Sequence, residues 1–254
     1  MLYSKLRGEA AVTFDALTMH AIRDELETEV LGGFVEKVIP LSALEVGLRV
    51  RSRHRDFNLL MSADAQTARV HLVSGTLRRL SEEVTPFLLL MRKYVRDGRI
   101  VSAQQPMLER LIRLAVEKRQ EDGSTTTSEI IIEAMGRHSN VILVGQDGHV
   151  LDALKRVPPS LSRQRPVLPH LPYCPPPPVE KLSPFSPLLA HQLASAARQA
   201  GAAAPLWRFL QDSVNGLGPL AAREVAFRAC DGTAVDVAKL AVGQVGDWNR
   251  VVGT

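Results

Sequence analysis

The apolar positions of the chain change period several times, and each change marks an element. From Phe14-Asp15-Ala16-Leu17 to Leu31, Leu17, Ile22, Leu26 and Val30 recur near helical spacing. Asp15 is the predicted N-cap and Gly32-Gly33 the stop. Period-two patterning then predicts strands at Val35–Ile39, Leu44–Arg53, Phe57–Ser62 and Arg69–Val73. A second helix is predicted over Ser81–Arg96, with Pro86 near its start and Gly98 ending it. Further strands are predicted at Arg99–Gln104, Leu111–Glu117 and Ser128–Ala134. A hairpin of Asn140–Val144 and His149–Lys155 follows, turning over Gln146-Asp147-Gly148. The pattern to this point is α+β, with two helices among short strands.

The period is then lost. Residues 158–187 are proline-dense, and proline cannot donate to a ladder, so this stretch is predicted to be an extended connector. Its Leu161, Val167, Leu168 and Tyr173 give it reason to lie on a surface. After it the chain is Ala-rich and helical at Leu188–Ala200, Leu206–Val214 and Ala221–Ala229. The predicted organisation is an α+β domain over 1–157, a connector over 158–187 packed on it, and a small all-α domain over 188–254.

Composition changes this picture little. The chain has 254 residues, 45% of them hydrophobic and 23% charged, enough for one large or two medium cores. No apolar run is long enough for a membrane span, and the N-terminus lacks the apolar segment of a secretory signal, so a cytoplasmic protein is expected. Cys174 and Cys230 have no zinc-spaced partners. The net charge of +4 is mild, but arginine outnumbers lysine. Guanidinium forks suit phosphate and base stacking, although a GC-rich genome gives the same bias.

Four places carry candidate chemistry. Within Glu129–Val144, two apolar runs flank Gly136-Arg137-His138-Ser139-Asn140, whose donors suit phosphate, sugar or carboxylate; a polar connection capping strand ends is the alternative. Arg49, Arg51, Arg53 and Arg55 alternate with other residues, and on one strand all four would share a face. That would make a phosphate-tracking surface, or else a solvated edge hairpin. Gly216-Leu217-Gly218 lies between two helices, the pattern of a helix-hairpin-helix that brings backbone N–H groups to a phosphate; an ordinary αα-hairpin is the alternative. The adjacent Glu109-Arg110 at a strand entry is by itself no more than a surface pair. There is no phosphate-binding loop, nucleophile elbow or metal-spaced His pair, so a binder rather than an enzyme is expected, with no cofactor.

The segments FDALTMHAIRDEL, LLMSADAQTARVHL, FLLLMRKYVRDGRI, EAMGRHSNVILV and RPVLPHLPY occur in an order and spacing that resemble the N-terminal region of the NFACT family. That family includes bacterial ribosome quality-control factors and proteins labelled fibronectin-binding A. The resemblance covers roughly residues 14–175, followed by a helix-hairpin-helix domain. It implies an N-terminal domain like that of formamidopyrimidine-DNA glycosylases, with β-sandwich-like strands. The glycosylase nucleophile, an N-terminal proline followed by glutamate, has no counterpart in Met1-Leu2 or in Phe14-Asp15.

The resemblance also implies partners. Full-length relatives bind the large ribosomal subunit obstructed by peptidyl-tRNA. Bacterial ones recruit alanyl-tRNA and support C-terminal alanine tailing, with no membrane or small-molecule substrate involved. The family's Asp-Arg pair for tRNA falls on Glu109 and Arg110, with Glu in place of Asp. Its Glu-Ile-Met segment falls on Glu133, Ala134 and Met135, with Ala in place of Ile. Arg49, Arg51, Arg53, Arg137, Gly216 and Gly218 are the candidate phosphate contacts. The family continues into a coiled-coil arm and an NFACT-R domain, so a truncated form or a naturally short relative is expected. A glycosylase-like nucleic-acid binder and a fibronectin-binding adhesin are the alternative functions.

Overall fold

The structure is a computed structural model that describes residues 14–80, 84–178, 180–200, 205–230, 248 and 251–253. The chain divides into two compact units. One carries residues 18–177, the other residues 178–254 together with Asp15–Leu17. The division falls inside the segment predicted as a connector.

From Ala16 to Ala153 the elements follow the predicted order. Helix α1 (Ala16–Glu29) precedes β1 (Phe34–Ser42), β2 (Glu45–Ser52), β3 (Arg55–Ser62) and β4 (Arg69–Val73). Helix α2 (Pro86–Tyr94) is followed by β5 (Arg99–Gln104), β6 (Leu111–Arg119), β7 (Thr125–Glu133), β8 (Asn140–Val144) and β9 (Val150–Ala153). The expected start of α2 at Ser81 lies outside the described residues. The helix itself begins at Pro86, where the Thr85 hydroxyl accepts from the Leu88 N–H at 3.3 Å and proline takes a position that needs no donor.

All nine strands form one antiparallel sheet in the order β4-β3-β2-β1-β5-β6-β7-β8-β9. The sandwich-like expectation is thereby refined. Two halves share a core, but a hydrogen-bonded seam joins them into a single sheet. The seam is narrow, built on the Phe34↔Arg99 pairing and bonds such as Val35 N–H to Gly98 C=O at 2.9 Å. Val46, Leu48, Leu59 and Met61 from one half meet Ile112, Leu114, Ile130 and Ile132 from the other, with Met19, Leu26 and Met91 of the helices in the same cluster.

Strand β7 is buried on both faces, which is why EIIIE reads as a continuous apolar run rather than an alternation. Ile130 and Ile132 enter the main core, while Ile131 enters a second cluster with Leu111, Ile142, Val144, Val150 and Val167. Val167 belongs to the proline-dense segment, which is pinned by Val157↔Val167 and His149↔Pro172 bridges. Burying a valine side chain of this kind contributes about 1.5 kcal/mol.

The second unit contains α3 (Leu189–Ala200), α4 (Leu206–Ser213) and α5 (Pro219–Ala229). Their apolar faces meet around Leu193, Leu206, Leu210 and Ala222, with Trp248 stacked at a tilt on Phe209, ring centroids 5.7 Å apart. Leu182 donates to Ser213 C=O and accepts from Asn215 N–H, both at 2.8 Å, which ties the end of the proline-dense segment to this unit.

Candidate nucleic-acid interface

The entry of β6, the exit of β7 and the turn into β8 meet at one corner of the sheet. Leu111 pairs with Glu133, and Glu133 pairs with Asn140, so three strand ends lie side by side. The Arg110 carbonyl accepts from the Ala134 N–H at 2.9 Å. Glu109-Arg110 and Glu133-Ala134-Met135, 24 residues apart in sequence (133 − 109), are therefore neighbours. Before them, residues Pro106–Leu108 form a 3₁₀ turn that ends with Leu108 at φ 54°. The Gln105 amide donates to the Glu109 carbonyl at 2.8 Å and its oxygen contacts the His20 ring at 2.9 Å. Arg23 in turn bonds His20 at 3.3 Å.

The five residues of the GRHSN string divide by direction. Gly136–His138 form a 3₁₀ turn in which Gly136 holds φ 58°, a conformation that costs other residues about 1 kcal/mol or more. Ser139 and Asn140 point inward and are buried. The Ser139 hydroxyl accepts from the Met135 N–H at 2.8 Å, and the Asn140 amide exchanges hydrogen bonds with both backbone groups of Lys155. Arg137 and His138 are exposed, with Arg137 Nε donating to His138 Nε2 at 3.0 Å. Lys155 Nζ donates to the Arg137 carbonyl at 3.3 Å; burial lowers its pKa, and the charges of Asp64 and Glu133 oppose that shift.

Glu133 is not on the surface. Only 1% of its side chain is exposed, and its Oε1 accepts from the Arg165 guanidinium and from the Tyr173 hydroxyl, the latter at 2.8 Å. The expected surface segment Glu133–Met135 thus reduces to Met135, which is half-buried, because Ala134 is also covered. A carboxylate at a strand end with an apolar run before it needs a partner once the proline-dense segment lies over it. Arg165 and Tyr173 supply that partner. Burial opposes the Arg165 charge, but the hydrogen bond and charge of Glu133 outweigh it and raise its pKa. Burial, and then the Glu133 carboxylate, push the Tyr173 phenol above its ordinary range. The Arg113 guanidinium lies 5.4 Å from the Tyr173 ring centroid and 3.5 Å from Glu129. Neither Arg165 nor Tyr173 was a candidate from sequence; the only signal was their place in RPVLPHLPY, 32 and 40 residues from their acceptor.

The arginine alternation breaks where the sequence continues it. Strand β2 ends at Ser52; Arg53 at φ 47° and His54 at φ 64° form a two-residue turn, and Arg55 opens β3. Left-handed conformations at both central residues are what a tight hairpin requires, so the four side chains do not share one strand face. Arg51 pairs with Asp56 at 2.8 Å, and Arg55 lies over Phe57 and 3.8 Å from Glu29. Arg49 is half-buried, with its Nε covered and without a hydrogen bond.

In the second unit, Gly216 holds φ 83° and Gly218 stands immediately before α5, which begins with Pro219. A Cβ on Gly218 would collide with the Asp15 carboxylate. An internal carboxylate therefore lies beside the turn at which the helix-hairpin-helix reading places a phosphate. Among the described residues no group of three or more His, Cys, Asp or Glu side chains is placed to hold a metal ion, and no helix is long and apolar enough to cross a membrane.

Comparison with known proteins gives the corner its context. An RqcH protein of Streptococcus pneumoniae serotype 2, a Rqc2 homolog, is 32% identical over 176 residues, 69% of this chain and 32% of that protein. The RqcH of Bacillus subtilis is 31% identical over 219 residues, 86% of this chain and 38% of that protein. The chain spans about a third of the length of these curated relatives. Among solved structures, the N-terminal domain of the fibronectin-binding protein PavA from Streptococcus pneumoniae matches with a TM-score of 0.75 at 29% identity, covering 84% of this chain and 78% of that one. The N-terminal part of a fibronectin/fibrinogen-binding protein from Streptococcus suis matches with a TM-score of 0.78 at 26% identity, covering 95% and 85%. The family model for NFACT N-terminal and middle domains matches residues 15–247, and the chain belongs to the NFACT family.

Proposed function

We propose that this chain is the tRNA- and ribosome-engaging part of a ribosome-associated quality-control factor. It binds tRNA at the β6–β8 corner and the large ribosomal subunit obstructed by peptidyl-tRNA, and it supports C-terminal alanine tailing of stalled chains. In this reading the protein is a cytoplasmic binder without a cofactor, and peptide-bond chemistry belongs to the ribosome. Support comes from the RqcH relatives together with one observation: the strand pairing gathers Glu109, Arg110, Met135, Arg137, His138 and Lys155 at one corner. Among the described residues neither Arg110 nor Arg137 has a carboxylate within ion-pair distance, which leaves the Arg110 guanidinium and the terminal nitrogens of Arg137 for phosphate. The helix-hairpin-helix assignment of α4 and α5 is part of the same proposal, with Asp15 as the anion already beside its turn.

The test is titration of alanyl-tRNA against the 254-residue chain at two salt concentrations. Affinity should fall as salt rises, because each neutralised phosphate releases counterions. Absence of salt-sensitive binding would sink the reading. A second reading, adhesion to fibronectin, is favoured by the names of the PavA and Streptococcus suis proteins. Saturable capture of the chain on immobilised fibronectin, undiminished by excess tRNA, would support that reading instead.

A further inference from the structure

A second basic surface lies at the other end of β6. Two surface concavities, each of about 630 Å³, share Arg92 of α2 and Arg96 just beyond it. Lys37 of β1 lines one, and Lys93, Lys118 and Arg119 line the other. Lys118 Nζ donates to the Lys93 carbonyl at 2.8 Å, so the end of β6 is fastened to the end of α2. Nearby acids answer only part of this charge: Glu36 and Asp97 line the first concavity, Glu121 and Asp122 the second. Asp97 faces Arg96 at 3.2 Å, while Asp122 turns back to accept from the Ser124 hydroxyl at 2.6 Å. Among the described residues Arg92 and Arg119 have no carboxylate within ion-pair distance.

A helix C-terminus favours cations, which accounts for Arg92 and Lys93 without any ligand. It does not account for Lys118 and Arg119, which a hairpin delivers to the same concavity. An aromatic contact stands close by. The Arg99 guanidinium lies 4.3 Å from the centroid of the exposed Phe34 ring, and both residues are two positions from lining residues, Asp97 and Glu36. Cations in such depressions suit the phosphates of a folded RNA, and an exposed ring beside them offers a platform for an unpaired base. The cations are divided between two shallow depressions rather than gathered on one face, which suits a phosphodiester backbone better than a bilayer.

We propose that this surface is a second RNA contact, taking the phosphates of a structured RNA through Arg92, Arg96 and Arg119. It rests on the reading that the chain engages RNA, and it adds a site that the corner does not include. Arg110 precedes the start of β6 and Arg119 ends it, so at the usual strand rise the two surfaces stand roughly 26 Å or more apart. One RNA bridging them would have to run along the sheet; two RNA segments would each take one end.

The test uses the whole chain and a fluorescein-labelled RNA stem-loop, with dissociation constants measured across a salt series. The triple variant R92Q/R96Q/R119Q should lower the slope of log Kd against log salt by roughly 2 and weaken binding on the order of tenfold at low salt. The charge-preserving R92K/R96K/R119K should keep most of the slope, and a thermal melt of each variant reports whether it is folded. If the Gln triple fails to fold, R119Q alone should still lower the slope by roughly 1. Salt-sensitive binding by the wild type with an unchanged slope in a folded Gln triple would overturn this proposal and leave the corner standing. Equal losses in folded Lys and Gln triples would overturn the phosphate assignment. Loss of phosphatidylserine-vesicle binding with RNA binding intact would assign the surface to a membrane instead. A wild type that binds no RNA would remove both sites together.

Discussion

Two arginine-bearing edges of the same sheet have opposite characters. At the β2–β3 tip, Arg51 and Arg55 are answered by Asp56 and Glu29. At the β6–β8 corner, Glu133 is turned inward and committed to Arg165 and Tyr173, and the half-exposed Glu109 makes no ion pair with its neighbour Arg110. Arg110 and Arg137 are left exposed around a buried ion pair. Counting charges along the chain favours the tip; the strand pairing favours the corner. An exposed guanidinium is available to a partner where no carboxylate is seated on it.

Removal of the buried acid should cost the fold most. Glu133→Ala leaves the Arg165 guanidinium and the Tyr173 hydroxyl without their acceptor, and should cost about 3 kcal/mol in urea unfolding. A loss below about 1 kcal/mol would mean that the buried pair does not hold the proline-dense segment on the sheet. Tyr173→Phe removes one hydrogen bond to that carboxylate and should cost about 1.5 kcal/mol at neutral pH. It should also change the pH dependence. The folded phenol keeps its proton where the unfolded one, with a pKa of about 10, releases it. The folded chain thus binds more protons above that pH, and stability falls as pH rises through it. Wild type minus Tyr173→Phe stability, measured from pH 8 upward to about pH 11, should shrink across that window. The depressed Lys155 works in the opposite direction, but it is common to both proteins and cancels in the difference.

Gly136→Ala tests the turn rather than the pair. No atom lies within 4 Å of where its Cβ would stand, so the cost is conformational, about 1 kcal/mol for a residue forced to φ 58°. Chemical denaturation should show it, and tRNA affinity should fall with it because Arg137 rides on the turn. The smallest effect belongs to the tip. Arg51→Ala breaks a pair whose two side chains are 49% and 44% exposed, and should change stability by no more than about 0.5 kcal/mol. A larger loss would show that the tip is an anchor too.

Much of the fold was legible because its signals are local. Alternation, the apolar run of β7 and the glycines after α1 and α2 set elements to within a few residues of where they lie. What escaped is non-local or unsigned. The β1–β5 seam that makes one sheet joins segments with no sequence mark of their pairing. The turn at Arg53-His54 carries no Gly or Asn, so the alternation ran straight through it. Of the corner, Glu109-Arg110 and the GRHSN string were legible as words. Their adjacency was not, since it depends on the Leu111↔Glu133 register. Glu133 read as a surface acid because its partner sits 32 residues away in a segment without periodicity.

The most direct measurement is the salt dependence of tRNA binding by Arg110→Ala/Arg137→Ala, set against Arg228→Ala, whose guanidinium is paired with Glu224 in the second unit. The corner variant should lose roughly 1 to 2 from the slope of log Kd against log salt, with affinity lower on the order of tenfold, while Arg228→Ala matches wild type. Equal slopes and affinities in all three proteins would rule out tRNA binding through Arg110 and Arg137.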